Sequence, residues 1–338
     1  MHDGAAPRAR RVVVVTGASA GIGRATAIEF ARHGWRVALL ARGQDGLEGA
    51  RADVELAGGE ALVIPTDVAD QAQVEAAAER VEREWGPIDV WVNNAMATIF
   101  AEFLDVDPDD YRRATEVTYL GTVWGTRAAL RRMRPRDRGT IVQVGSALAY
   151  RSIPLQAPYC GAKAAIRGFT DSLRSELIHA RSRVHLTMVQ LAAFNTPQFQ
   201  WGRTTMGCRP RPMGRIFQPE VAARGIYHAA THRRREMVVG APALAAIYGG
   251  GMLARGYADH KLARDAVDGQ HTDESLPPDR QDNLYQPVPG DHGAHGRFDD
   301  EATAHSTQLW MTTHRGRIAA GAALLATAAG ALAALRRR

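Results

Sequence analysis

The chain has 338 residues, 45% apolar and 23% charged, a composition that excludes disorder throughout and allows one large α/β domain with an appendage. Its two cysteines, Cys160 and Cys208, exclude a disulfide framework and make a reducing, cytoplasmic compartment the expectation. The net charge of +6 is carried almost wholly by arginine, since Lys163 and Lys261 are the only lysines among 42 basic residues; separated arginine runs without interleaved aromatics read as solvated surface, with no nucleic-acid partner.

Residues 1–10 are polar and read as a flexible N-terminus, with no secretory signal expected. From residue 11 to about 240, short apolar runs alternate with amphipathic stretches, the signature of repeated βαβ units. The expected strands are 12–15, 37–40, 61–64, 90–92, 141–144, 184–189 and 237–239, seven runs that fit one doubly wound parallel sheet with helices on both faces. Helical patterns lie between them, including 22–33 closed by Gly34 and 71–85 closed by Gly86-Pro87. Beyond Gly240 the pattern decays, and 241–316 reads as an irregular extension crowded with Asp, Gly, Pro and His between residues 272 and 300. The last unit, 317–338, contains an uncharged stretch (318–335) with ten alanines and basic residues on both sides. As a helix it spans about 27 Å against a hydrocarbon core of about 30 Å, so it reads either as a membrane-associating tail or as a helix packed on protein.

The first expected strand runs into Thr16-Gly17-Ala18-Ser19-Ala20-Gly21-Ile22-Gly23 and then a helix. Glycines there let backbone amides and a helix N-terminus meet a pyrophosphate, so Gly17, Ser19, Gly21, Ile22 and Gly23 are candidate dinucleotide contacts. The second strand ends Ala41-Arg42, without the acid that would bind a ribose 2'-hydroxyl. Arg42 can pair with a 2'-phosphate instead, so NADP(H) is expected in preference to NAD(H). Asp67, just past the third strand, is placed either to accept from an adenine amino group or to cap the helix that starts near Asp70.

Tyr159 and Lys163 are four residues apart, one helical turn, and a nearby ammonium favours a phenolate. Ser146 follows the fifth strand, at the carboxyl edge where such sheets bind ligands. Taken in order, Thr16-Gly17-x3-Gly21-x-Gly23, Asn93-Asn94-Ala95, Ser146 and Tyr159-x3-Lys163 resemble the short-chain dehydrogenase/reductases (SDR) over residues 11–240. The resemblance implies a Rossmann-like domain and hydride transfer between a nicotinamide and an alcohol or carbonyl carbon. It implies that Tyr159 is the general acid/base, that Lys163 binds the nicotinamide ribose and lowers the tyrosine pKa, and that Ser146 orients the reacting oxygen. Asn93 and Asn94 would brace the cofactor pocket, Thr196 would lie near the nicotinamide carboxamide, and Thr118 stands where the family has a relay asparagine. Homo-oligomers would pair through helices within 111–133 and 158–180.

Two further departures are Met96, where the family has glycine, and Ala192-Ala193 in place of Pro-Gly. The segment after Thr196 carries Phe199, Trp201, Met206, Met213 and Phe217, which imply an apolar substrate, a small carbonyl compound or alcohol. Arg203, Arg209, Arg211 and Arg215 in the same segment suit either an anionic substrate group or a solvent-facing loop. His292 and His295 lack a third fixed ligand, so no metal is expected. The expected function is that of an NADP(H)-preferring carbonyl reductase or alcohol dehydrogenase. The rival reading, favoured by Thr118 and Met96, is a cofactor-binding scaffold or sensor with weakened chemistry.

Overall fold

Strands of this chain are continuous apolar runs because both faces of the sheet are covered. The computed structural model describes residues 10–277, 279–321 and 327. Seven strands form one parallel sheet: β1 (Val12–Thr16), β2 (Arg36–Ala41), β3 (Glu60–Pro65), β4 (Ile88–Asn93), β5 (Thr140–Val144), β6 (His185–Leu191) and β7 (Glu236–Val239). Their spatial order is β7-β6-β5-β4-β1-β2-β3, with the reversal beside β1. Each expected strand is present, and most gain a residue or two at their ends.

Alternation along the strands divides the core in two. Val13, Val15, Val37, Leu39, Val92 and Val144 pack on one face against α1 (Gly21–Arg32), α2 (Gln44–Leu56) and a later helix, Pro219–Thr231. Val12, Val14, Leu40, Ile88, Trp91 and Ile141 pack on the other against α3 (Gln71–Trp85), α5 (Gly121–Met133) and α6 (Ala157–His179). The helix preceding α5, α4 (Pro108–Thr115), is joined to it by a π-turn over Glu116–Leu120. Asp70, not Asp67, caps α3, accepting from the amides of Ala72 and Gln73.

The extension is only partly irregular. It continues from β7 into helical segments ending with Arg255–Asp265, then pairs His271–Ser275 antiparallel with Cys208–Pro210. The described residues between 276 and 306 hold almost no regular structure, as the Pro, Gly and Asp content of the segment implies, before the helix Thr307–Thr313. The apolar stretch 318–335, read either as a membrane-associating tail or as a helix packed on protein, falls largely outside the described residues. Among the described residues, no helix is long and apolar enough to cross a membrane.

Candidate active site

At the carboxyl edge of the sheet, beside the reversal of strand order, lies a cavity of about 710 Å³. Its floor is the turn between β1 and α1. Gly17 has φ +66°, and a side chain there would press on Ala95 Cα at 2.9 Å. A methyl group on Gly23 would overlap the Gly17 carbonyl oxygen, so Gly23 serves the turn without lining the cavity. Gly17, Ser19, Gly21 and Ile22 do line it. Asn94 braces the turn: its Nδ2 donates to the Thr16 carbonyl at 2.9 Å, and its own amide donates to the Thr16 hydroxyl at 2.9 Å. Backbone this bare at a helix N-terminus, opening on a long cavity, fits a dinucleotide pyrophosphate.

Ser146, at the end of β5, and Tyr159 and Lys163, on α6, meet at the same cavity. The Ser146 hydroxyl accepts from the Leu148 amide at 3.1 Å and lies close enough to the Tyr159 phenol to pull its pKa down. Lys163 is 3% exposed; its Nζ donates to the Val144 carbonyl at 2.6 Å and lies 5.6 Å from the Tyr159 ring centroid. The electrostatics correct the expectation for the tyrosine. Burial outweighs the neighbouring Ser146 hydroxyl and pushes the phenol up to about 12, while burial pulls the Lys163 ammonium down to about 8. The phenol therefore holds its proton at neutral pH.

Other expected residues are distributed unevenly. Thr196, Arg42, Asp67 and Met96 line the cavity. Both Nη atoms of Arg42, however, donate to main-chain carbonyls of the extension, with Nη1 2.8 Å from the Tyr285 oxygen. Asp67 is ion-paired with Arg113. Asn93 does not reach the cavity; one residue from Asn94 on a strand, it faces the opposite layer. There its amide bonds Trp91 Nε1, the Thr126 hydroxyl and Gln143 Oε1 at 2.8–3.0 Å. Thr118 is fully buried, and its hydroxyl both accepts from and donates to the backbone of Ala97 at 3.0 Å, so its side chain is turned to that loop. Its carbonyl, in the π-turn, accepts from the Thr122 hydroxyl at 2.9 Å.

Phe199, Trp201 and Met213 line the cavity, whereas Met206 and Phe217 pack into hydrophobic clusters. Arg203, Arg209 and Arg211 are ion-paired with carboxylates, and Arg215 lies on the cavity wall. His292 packs edge-on against Trp201, and His295 sits between Glu220 and Asp299. Sequence reasoning missed Leu148, Ile153, Ala246 and Leu262 in the lining; these are apolar positions whose proximity comes only from the fold. It also missed the wall supplied by the extension, Asn283 and residues 287–290 with His292.

A family model for short chain dehydrogenases matches residues 11–206. An uncharacterized oxidoreductase, YxnA, from Bacillus subtilis (strain 168) is 32% identical over 286 residues, covering 83% of this chain and 80% of its own. A 3-dehydrosphinganine reductase from Danio rerio is 31% identical, covering 63% of this chain and 66% of its own. Human dehydrogenase/reductase SDR family member 7 is 40% identical over 170 residues, and this chain spans about half its length. A crystal structure of a metagenomic short-chain oxidoreductase in complex with NADP superimposes with a TM-score of 0.58 at 26% identity, covering 68% of this chain and 96% of the other. With its seven-stranded Rossmann-like sheet, its glycine turn and this likeness over more than half its length, the chain belongs to the short-chain dehydrogenase/reductase family of NAD(P)-dependent enzymes.

Proposed function

We propose that the protein is an NADP(H)-preferring carbonyl reductase or alcohol dehydrogenase acting on an apolar substrate, with Tyr159 as general acid/base. The observation that carries the reading is the convergence of Ser146, Tyr159 and buried Lys163 on one cavity with the glycine turn. When bound, the nicotinamide supplies or accepts the hydride. In reduction, Tyr159 gives its proton to the carbonyl oxygen, and Ser146 donates a hydrogen bond to the same oxygen. A phenol that titrates near 12 is loaded with that proton at neutral pH. Lys163, with its Nζ 5.6 Å from the Tyr159 ring centroid, keeps a cation beside the side chain from which the proton leaves. Thr196, at the cavity wall, would hold the nicotinamide carboxamide. Ala41 followed by Arg42 supports NADP(H), and Phe199, Trp201, Met213 and Leu148 support an apolar substrate.

Thr118 favours the rival reading of a scaffold with weakened chemistry, because its side chain is committed to Ala97. A carbonyl library followed by NADPH and NADH oxidation, on wild type beside Tyr159→Phe, separates the two. The enzyme reading expects turnover with NADPH that disappears in the variant while dinucleotide still binds. Binding without turnover across the library would support the scaffold, and a clear preference for NADH would overturn the cofactor assignment. Pairing into a homo-oligomer through the helical stretches 111–133 (α4 to α5) and 158–180 (α6) belongs to the same reading, and light scattering tests it.

A further inference from the structure

Beyond the last strand of the sheet the chain returns to the cavity and crosses it. At one end, Arg42 donates to the carbonyls of Asn283, Leu284 and Tyr285, and Arg113 Nε donates to the Leu284 carbonyl at 3.2 Å. The Leu284 side chain is fully buried in the core of the sheet. In the middle, the Gly290 amide donates to Asp45 at 3.0 Å, and Asp291 is gripped by both Nη atoms of Arg24. Arg24 is 5% exposed and holds Asp53 through Nε at 2.7 Å. At the far end, the Gly293 carbonyl accepts from the Gly21 amide at 3.1 Å, and the Gly296 amide donates to the Asn195 carbonyl at 3.3 Å. Between these anchorages Pro287, Val288, Pro289 and Gly290 line the same cavity as the glycine turn and Lys163.

We propose that residues 283–296 form a strap over the dinucleotide site, latched by the Arg24–Asp291 pair, which must lift before the cofactor can exchange. The proposal rests on the reading of the cavity as the dinucleotide site. A ligand reaching from the glycine turn to Lys163 passes beneath this segment, so its wall is also its exit. Most strap contacts are hydrogen bonds of its own backbone, which water can replace when the strap lifts. The Asp291 side chain, which forms the latch, and Leu284 are the exceptions, and burial of Leu284 makes it the fixed end. Arg24 has a second carboxylate, Asp53, so it keeps a partner when Asp291 leaves. Pro287 and Pro289 stiffen the middle, so that it moves as one piece.

The test uses the full-length protein and follows nicotinamide fluorescence as bound NADPH is displaced by excess NADP+ in a stopped-flow instrument. Asp291→Ala should release NADPH faster by about tenfold or more, since loss of a charge-assisted pair acts mainly on dissociation. A second variant locks the strap. A Cβ on Gly43 would lie 3.1 Å from Pro287 Cβ, so Gly43→Cys with Pro287→Cys, in a Cys208→Ser background, reaches disulfide spacing with a small shift. Oxidation should consume the two new thiols and slow both uptake and release by about tenfold or more, with recovery on reduction. Thiols that fail to pair, an oxidised protein that exchanges at the reduced rate, or wild-type release from Asp291→Ala would each overturn the strap. Wild type that binds neither NADPH nor NADH would instead overturn the reading of the site.

Discussion

Replacing Lys163 with methionine should make the fold more stable at neutral pH while abolishing turnover. The folded protein holds the Lys163 ammonium at about 8, against 10.5 for a free side chain, and burial is the cause. Each tenfold change in proton affinity is worth about 1.4 kcal/mol, so keeping this lysine charged costs the fold about 3 kcal/mol. The folded value lies below the unfolded one. The cost is therefore complete below pH 8, shrinks between pH 8 and 10.5, and vanishes once both states are neutral. Methionine fills nearly the same volume without charge but strips the Val144 carbonyl of its 2.6 Å donor, a loss of about 1–2 kcal/mol. The net gain at pH 7 is about 1–2 kcal/mol, or a Tm higher by about 1–3 °C in a chain of 338 residues. Near pH 10.5 only the lost hydrogen bond remains, and the variant should melt below wild type. Calorimetry of both proteins from pH 6.5 to 10.5 reads this crossing directly. A variant that melts lower at pH 7, or a Tm difference that does not change with pH, would refute the argument that burial of a charge dominates this position.

Gly23→Ala forces a methyl group against the Gly17 carbonyl and must open the turn. Overpacking of about 1–3 kcal/mol predicts NADPH affinity weaker by about 10- to 100-fold in a fluorescence titration, and an unchanged Kd would remove the turn from the binding site. Asn93→Leu leaves Trp91 Nε1 and Gln143 Oε1 without their partner, so urea denaturation should report a loss of about 2–5 kcal/mol while dinucleotide affinity stays the same. Weakened affinity in that variant would mean that Asn93 does act at the cavity.

Features that depend on neighbours along the chain are legible in the amino-acid sequence. Seven apolar runs become seven strands because a strand buried on both faces needs no alternation. The glycine turn is readable because its work is done by backbone within seven residues. The pairing of Tyr159 with Lys163 follows from helical pitch alone. Other features need the third dimension. The direction of the Tyr159 shift depends on burial, which the i, i+4 spacing does not reveal. Asn93 and Asn94 look interchangeable as letters, yet strand alternation, itself a property of the sequence, sends them to opposite sides of the sheet. Arg42 illustrates the harder case: its partners are main-chain carbonyls about 240 positions away, and a carbonyl carries no sequence signature. Composition marks the segment around Pro287 as irregular, but nothing in composition says where an irregular segment is pinned.

The distance along the chain between the glycine turn and the segment that crosses it also sets an order of events during synthesis. All seven strands have left the peptidyl-transferase centre by Val239, whereas Asp291 and Gly296 follow roughly fifty residues later. At about 5–20 residues per second that interval lasts about 3–10 s. A nascent sheet thus presents an open cleft first and receives its cover afterwards, so cellular dinucleotide can enter before the polypeptide is finished. Protein made in a nucleotide-depleted lysate and protein given the same nucleotide after release would then differ in how much they carry.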